Sequence, residues 1–282
     1  MIHIRAMTHA DIPLGMRLKS QAGWNQTEAD WLRFLSLEPD GCFVAESQGR
    51  PVGTTTAAIF GDVAWIAMVL VDVDHRGRGI GTALFHHAID FLDAQNVRAI
   101  RLDATDLGRP IYQKLGFESQ FELSRFAGRL AEDYTSAAHL TPRPAAPADL
   151  AAIAAMDRTA TRTDRTGLLQ RLVSQHVSAT HVTDHDNRIT GYITSRPGSD
   201  AAQIGPCLAN DPADGAALLS HALQQHAGRD VYVDIPKDHA DAVSLIRRIG
   251  LQSRRTFIRM CRGEPTSERR PSLWASSGPE FG

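Results

Sequence analysis

The sequence predicts an α/β (α+β) protein made of two tandem copies of one unit, each a mixed, mostly antiparallel sheet flanked by helices. Two observations predict this fold class. Residues 2 to about 128 alternate strand-like apolar runs with helical stretches, in the order β-α-α-β-β-β-α-β-α-β. Short pieces of the same unit then recur, in the same order, later in the chain.

The elements of the first unit follow from local patterns. Residues 2–6 predict a strand, and two short helices follow, with Asp11 or Thr8 suited to cap the first and Thr27 the second. Three apolar runs predict strands, at 42–45, 51–60 and 63–71. From Gly79 the apolar period becomes helical, and a strand at 99–102, a short helix ending at Gly116 and a strand from Phe117 complete the unit.

The repeat is recognised from ordered matches at a nearly constant offset. Arg5 and Ala10-Asp11-Ile12 match Arg143 and Ala148-Asp149-Leu150, 138 residues later (143 − 5). Further along, Ile111 to Phe117 matches Leu245 to Leu251, 134 residues later (245 − 111). Single matches of this length arise by chance, but a shared order and offset indicate duplication. We therefore predict one domain over 1–132, a related domain over 138–262, and an extended C-terminal tail over 263–282.

Composition narrows the class of protein. The chain has 282 residues, 43% of them hydrophobic, and a formal net charge of −2. That charge gives no excess of positive charge with which to bind nucleic acid or an anionic membrane. No run of about 18 apolar residues suggests a membrane span. Three scattered cysteines imply no disulfide framework and favour a reducing compartment. The cytoplasm is the predicted location.

The segment from Val69 to Leu84 has the character of an anion site. A strand ends, two arginines alternate with glycines in Arg76-Gly77-Arg78-Gly79-Ile80-Gly81, and a helix begins. Glycines leave backbone N–H groups accessible at the positive end of the helix, and the guanidiniums supply charge-assisted donors for phosphate. The Gly-Lys-Ser/Thr ending of a P-loop is absent, and Thr82 stands where a dinucleotide fingerprint needs its third glycine.

On these residues the chain resembles the GCN5-related N-acetyltransferases (GNAT), whose Arg/Gln-x-x-Gly-x-Gly/Ala signature is met by Arg76, Gly79 and Gly81. The tandem layout is similar to that of the YitH-like subgroup, so the fold implied is two tandem GNAT-like domains. The resemblance implies acetyl-CoA as cosubstrate, without a metal. It also implies that the loop amides bind the pyrophosphate and that the preceding strand pairs with the pantetheine arm. The cofactor-binding residues so implied are Leu70, Val71, Val73, Arg76, Gly77, Arg78, Gly79, Ile80, Gly81 and Thr82.

The resemblance also assigns a catalytic residue. Tyr112, in Ile111-Tyr112-Gln113-Lys114-Leu115-Gly116-Phe117, stands where the family carries a tyrosine that protonates the departing thiolate. A phenol with a pKa near 10 is a slightly weaker acid than a thiol near 8.5, so the hydroxyl would need to lie within hydrogen-bond reach.

For the residues that bind and deprotonate the acceptor amine, the sequence leaves several candidates. The base that takes a proton from the incoming ammonium could be Asp72, Asp74, His75, Asp103 or a water chain. Trp24 and Gln26, in the connection between the first two helices, and Asp103 are the candidate substrate residues. Trp31 is predicted to be core.

The second unit has lost the signature. Offset 134 places Asn210-Asp211-Pro212-Ala213-Asp214-Gly215 on the loop, without arginines and with two carboxylates that would repel a pyrophosphate. Ile246 replaces the tyrosine. We expect this copy to bind no coenzyme. Four of its charged residues either face the substrate pocket or are solvated, and we expect solvation for each of Asp164, Arg165, Arg196 and Asp234.

The resemblance implies an acyltransferase that moves acetyl to a primary amine of a small molecule or peptide by direct attack. The alternative is a non-catalytic acyl-CoA-binding sensor. Nucleic-acid and membrane partners are not expected, a homodimer is compatible with the sequence, and no residue determines the acyl-chain length.

Overall fold

The computed structural model describes residues 2–282 and confirms the mixed α/β architecture with the same element order in both halves. The first half contains β1 (Ile2–Ala6), α1 (Ile12–Gln21), α2 (Glu28–Leu37), β2 (Cys42–Ser47), β3 (Arg50–Phe60), β4 (Val63–Val71), α3 (Ile80–Ala94), β5 (Ala99–Ala104), α4 (Arg109–Lys114) and β6 (Glu118–Arg129). The second half contains β7 (Arg143–Pro144), α5 (Leu150–Thr161), α6 (Thr166–Gln175), β8 (His181–His185), β9 (Arg188–Arg196), β10 (Ala202–Ala209), α7 (Pro212–Gln224), β11 (Asp230–Pro236), α8 (Ala240–Arg248) and β12 (Gln252–Gly263), followed by β13 (Leu273–Ala275). No helix within residues 2–282 is long and apolar enough to cross a membrane.

The same ion pair precedes the first helix of both halves. Arg5 donates to both carboxylate oxygens of Asp11 at 2.9 and 2.8 Å, and Arg143 does the same with Asp149 at 2.7 and 3.1 Å. These are the residues that the repeat analysis aligned at offset 138. The contact orients the entry into the helix in each copy, which explains why this short match persists between units that otherwise differ.

The two halves form one sheet because they exchange their last strands. The strand order is β1-β2-β3-β4-β5-β12-β6-β11-β10-β9-β8-β7, so β12 lies beside β5 of the first half and β6 lies beside β11 of the second. At the centre β6 and β12 pair antiparallel from Gln252↔Ala127 to Cys261↔Glu118. Neither half has a complete sheet without a strand from the other.

The last residues, predicted as an extended tail, are built into this structure. β13 pairs antiparallel with β10, and Trp274 and Phe281 are 2% and 1% exposed. Phe281 stacks on Phe34 with ring centroids 4.4 Å apart, and Trp65 Nε1 donates to the Pro279 carbonyl at 3.0 Å. The tail therefore joins the core of the second half to that of the first.

The expectation that Arg165, Arg196 and Asp234 are solvated is wrong, since they are 3%, 4% and 1% exposed. Arg196 contacts Asp30 at 3.2 Å and also pairs with Glu280, while Asp234 pairs with Arg125 at 2.7 Å. A buried charge requires a partner of opposite sign, and each partner here comes from a distant part of the chain. Local sequence carried no sign of these pairs.

Replacing Trp274 with alanine should lower the free energy of unfolding by about 3–5 kcal/mol, because it removes a large buried aromatic side chain and leaves a cavity. Urea denaturation would measure the change. Leu107→Ala is the matched control, since Leu107 is 89% exposed. A loss below about 1 kcal/mol for Trp274→Ala would show that the tail does not contribute to the core.

Candidate active site

The predicted anion loop joins the end of β4 to α3. Gly77 and Gly79 have φ of 74° and 76°, in the left-handed region that glycine adopts without steric cost, and Gly79 is the N-cap of α3. A Cβ on either residue would meet no atom within 4 Å, so the backbone conformation, and not crowding, requires glycine there. The loop therefore presents backbone at the N-terminus of a 15-residue helix.

The two arginines of the loop are exposed and have carbonyl partners. Arg76 Nε donates to the Val71 carbonyl at 3.0 Å, and Arg78 Nη2 donates to the Asp74 carbonyl at 2.9 Å. Within residues 2–282 neither guanidinium forms an ion pair with a carboxylate. Their charge is therefore left for an anionic ligand.

Asp72 connects the loop to α1. It pairs with Arg17 of α1 and accepts from the Asp74 N–H at 3.1 Å, and His75 Nδ1 lies 3.5 Å from it. Burial disfavours its charge, but the Asp74 amide and Arg17 hold the pKa of Asp72 below its usual value. This carboxylate is ionised and already bound, so it positions the loop.

A cavity of about 660 Å³ opens where β4 and β5 separate. The two strands pair in parallel only from Val63↔Ala99 to Trp65↔Arg101 and then diverge. Residues 66–71 of β4 form one wall, and Leu102 and Asp103 of β5 lie on the other. The cavity runs from the loop to the connection between α1 and α2.

A bulge in β4 faces this cavity and was not predicted. The β3–β4 register shifts between Thr54 and Thr56, and Met68 has φ of 54°, uncommon for a residue with a side chain. Thr54 Oγ1 donates to the Met68 carbonyl at 3.0 Å and holds the bulge in place. No glycine or proline marks it in the sequence.

Tyr112 lies on the cavity wall between the loop and β5. Its ring packs on Phe85 and Phe117, with centroids 4.7 and 6.2 Å away, and its hydroxyl has no hydrogen-bond partner within the described chain. Burial raises the pKa of Tyr112 to about 12. The phenol is thus protonated at neutral pH and free to donate.

The predicted site residues nearly all border this one cavity. Leu70, Val71, Arg76, Gly77, Gly79, Ile80, Gly81 and Thr82 line it, as do Trp24, Gln26 and Asp103. Val73 and Arg78 lie outside its wall, and Val73 is 45% exposed. The predicted core residue Trp31 is fully buried.

Asp103 is on the wall, but its carboxylate is already bound. Arg259 Nε and Nη2 donate to its two oxygens at 2.8 and 2.9 Å. Arg259 comes from β12 of the second half, so only the exchange of strands creates this pair. Asp103 is therefore poorly placed to serve as a base.

Three charged side chains on the wall were missed by sequence analysis. Arg125, Arg255 and Glu280 line the cavity, and none belongs to a motif. They come from β6, β12 and the tail, and Arg125 precedes Arg255 by 130 residues in the chain (255 − 125). Their relation depends on the strand exchange, so no local pattern could have found them.

In the second half the corresponding cleft is filled. β10 and β11 also pair only briefly, at Ala202↔Val231 to Ile204↔Val233, and β13 adds beside β10. Gly215, the counterpart of Gly81, lies against Trp274 so closely that a Cβ there would overlap the indole. Asp211 accepts from the Ala213 N–H at 2.8 Å and caps α7. Among the described residues, no group of three His, Cys, Asp or Glu side chains could hold a metal ion.

Comparison with known proteins gives the family. Residues 14–117 match the model of the acetyltransferase (GNAT) family, and residues 153–275 match that of an acetyltransferase (GNAT) domain. Acetyltransferase SG1711 of Sodalis glossinidius is 32% identical over 139 residues, which cover 47% of this chain and 98% of that protein.

Two further similarities extend over most of the chain. The uncharacterized N-acetyltransferase YitH of Bacillus subtilis is 26% identical over 224 residues, covering 79% of this chain and 78% of that protein. A solved structure from Pyrococcus horikoshii superposes with a TM-score of 0.84 at 22% identity, over 100% of this chain and 96% of that one, which shows a shared fold. The chain therefore belongs to the GNAT acetyltransferase family, as a tandem-domain, YitH-like acyltransferase.

Proposed function

We propose that the chain transfers an acetyl group from acetyl-CoA to a primary amine of a small molecule or peptide by direct attack. One observation carries the proposal: a single cavity is bordered by the anion loop, Tyr112 and the connection between α1 and α2. A donor bound at the loop and an acceptor at that connection would meet in the cleft between β4 and β5. Such juxtaposition is the main requirement for direct transfer.

The loop suits the coenzyme pyrophosphate. Its left-handed glycines leave the N–H groups at the start of α3 unobstructed. The two flanking guanidiniums have carbonyl partners but no carboxylate partner within residues 2–282. Leu70 and Val71 line the cavity on β4, where the pantetheine arm would run. When bound, acetyl-CoA supplies the thioester carbonyl that the amine attacks.

Tyr112 is the proposed general acid. As the C–N bond forms and the C–S bond breaks, its hydroxyl donates a proton to the leaving sulfur. With a pKa raised to about 12, the phenol is a weaker acid than a thiol near 8.5, so complete transfer is uphill. Its contribution would therefore come largely from a hydrogen bond that strengthens as negative charge develops on sulfur.

The amine must lose a proton before it attacks. Asp72 is held by Arg17 and Asp103 by Arg259, so neither carboxylate is a good candidate for this base. A panel of primary amines assayed with acetyl-CoA for release of free thiol tests the proposed activity. A non-catalytic acyl-CoA-binding protein would release thiol with none of them.

Only the first half is proposed to bind the coenzyme, because Trp274 and β13 fill the equivalent cleft of the second. Isothermal titration with coenzyme A should therefore give one site per chain. A second equivalent of bound coenzyme would contradict the proposal. Loss of the single site in the Arg76→Ala/Arg78→Ala variant would assign it to the first half.

A further inference from the structure

Two adjacent arginines line the part of the cavity where the acceptor amine is proposed to bind. Arg125 of β6 and Arg255 of β12 are direct cross-strand partners, and both line the cavity. Like charges placed directly opposite each other destabilise a sheet. Asp234 neutralises one of them, while Arg255 forms no ion pair within residues 2–282. The pair therefore leaves net positive charge on this wall.

Arg125 is held rigidly with one nitrogen unused. Its Nε and Nη2 donate to the two oxygens of Asp234 at 2.8 and 2.7 Å, and its guanidinium lies 4.9 and 5.0 Å from the ring centroids of Tyr232 and Phe257. Nη1 has no hydrogen-bond partner in the described chain, and the residue is 8% exposed. A buried, fixed guanidinium with free donors beside a cavity is a built anion subsite.

Two side chains with hydrogen-bond-accepting oxygens, Gln26 and Glu280, line the same cavity. Gln26 is 7% exposed, and its Nε2 donates to Glu280 Oε2 at 3.2 Å. Its Oε1 is buried and has no partner within residues 2–282. Glu280 is held by Arg196 and lies close enough to Arg125 for each to influence the pKa of the other. An unmatched buried acceptor beside a carboxylate suits an N–H donor, such as an ammonium group.

We infer that the acceptor is a small zwitterionic molecule of the amino-acid type, whose ammonium binds Gln26 and Glu280 and whose anionic group binds Arg125 and Arg255. This inference rests on the proposed function and names the substrate class for the same site. Acetylation converts the ammonium of the acceptor into a neutral amide. The product therefore lacks the positive charge that Gln26 and Glu280 bind. The proton released from the ammonium passes to solvent, since Arg196 and Gln26 already bind the Glu280 carboxylate.

Matched amine pairs test the inference. Ornithine against putrescine and tyrosine against tyramine differ by a carboxylate, and O-phosphoethanolamine against ethanolamine differs by a phosphate. The anionic member of at least one pair should have a kcat/KM about 10- to 100-fold higher, the factor expected for charge-assisted hydrogen bonds. The pair that shows the preference identifies the anion as carboxylate or phosphate.

Arg255→Ala should weaken that preference, because only Arg125 then binds the anionic group, while leaving the coenzyme Kd unchanged. Arg254→Ala is the matched control, because Arg254 is exposed, lies at a register shift of the same strand and is absent from the cavity wall. Glu280→Gln should raise KM for both members of each pair alike. Equal kcat/KM within every pair, or a preference that Arg255→Ala leaves undiminished, would overturn the inference.

The two proposals fail in different ways. Absence of thiol release with every amine contradicts the proposed function, whereas equal turnover of anionic and neutral amines contradicts only the substrate class. Calorimetric titration of the same amines into the protein saturated with coenzyme A tests the subsite without turnover. Binding of neutral and anionic members with equal affinity there would also reject the anion subsite.

Discussion

Replacing Tyr112 with phenylalanine is expected to lower kcat by about 100-fold while leaving the coenzyme Kd within about twofold of the native value. The change removes only a hydroxyl that has no hydrogen-bond partner in the described chain, so no native contact is lost. The packing of the ring on Phe85 and Phe117 is retained. The loss would therefore report what the hydroxyl does when the C–S bond breaks.

Steady-state thiol release and equilibrium coenzyme titration would separate the two effects. Tyr134→Phe is the matched control, since it deletes the same group from a half-buried tyrosine outside the cavity. A kcat within about twofold of the native enzyme would remove Tyr112 from the mechanism. A rise in the coenzyme Kd with unchanged kcat would instead make it a binding residue.

Replacing both Arg76 and Arg78 with alanine is expected to raise the coenzyme Kd about 100-fold, because each charge-assisted contact to a phosphate contributes about 1.5–3 kcal/mol and exposure to solvent weakens both. The two side chains bond only to the loop carbonyls of Val71 and Asp74, so their charge is not neutralised within the structure. Raising the salt concentration should weaken coenzyme binding by the native protein more than by the variant.

The control for this variant is Arg50→Ala/Arg254→Ala, which removes the same charge from exposed positions away from the cavity. A global effect of net charge would weaken coenzyme binding in both variants equally. Undiminished affinity in the Arg76→Ala/Arg78→Ala variant would reject the loop as the pyrophosphate site. Thermal unfolding of both variants would exclude loss of folded protein as the cause.

The secondary-structure elements could be predicted from the sequence because each depends on local signals. The helical period that starts at Gly79 produced α3, which begins at Ile80, and the apolar run at 63–71 is β4 without change. The strand predicted at 99–102 extends to Ala104, since strand ends depend on a neighbour, and here that neighbour is β12. Arg5 and Arg143, aligned only by the repeat, make equivalent ion pairs.

The residues proposed to bind the coenzyme could also be predicted from the sequence, because they lie close together in the chain. Arg76 to Thr82 form one continuous segment, and the spacing of glycines and arginines within it is read directly from the sequence. The base candidates could not be decided in this way. Asp103 looked free in sequence, yet Arg259, 156 residues away, occupies both of its oxygens.

The sequence by itself determined the duplicated fold, its element order and the position of the candidate anion loop, since periodicity, glycine conformation and motif spacing act over a few residues. Only the tertiary structure decided which strands pair, how the tail fills one cleft and borders the other, and which charges meet on the acceptor wall. Gln26, Arg125 and the C-terminal residues Arg255 and Glu280 come from three distant parts of the chain. They line one cavity because β6 and β12 exchange places and the tail crosses between the halves.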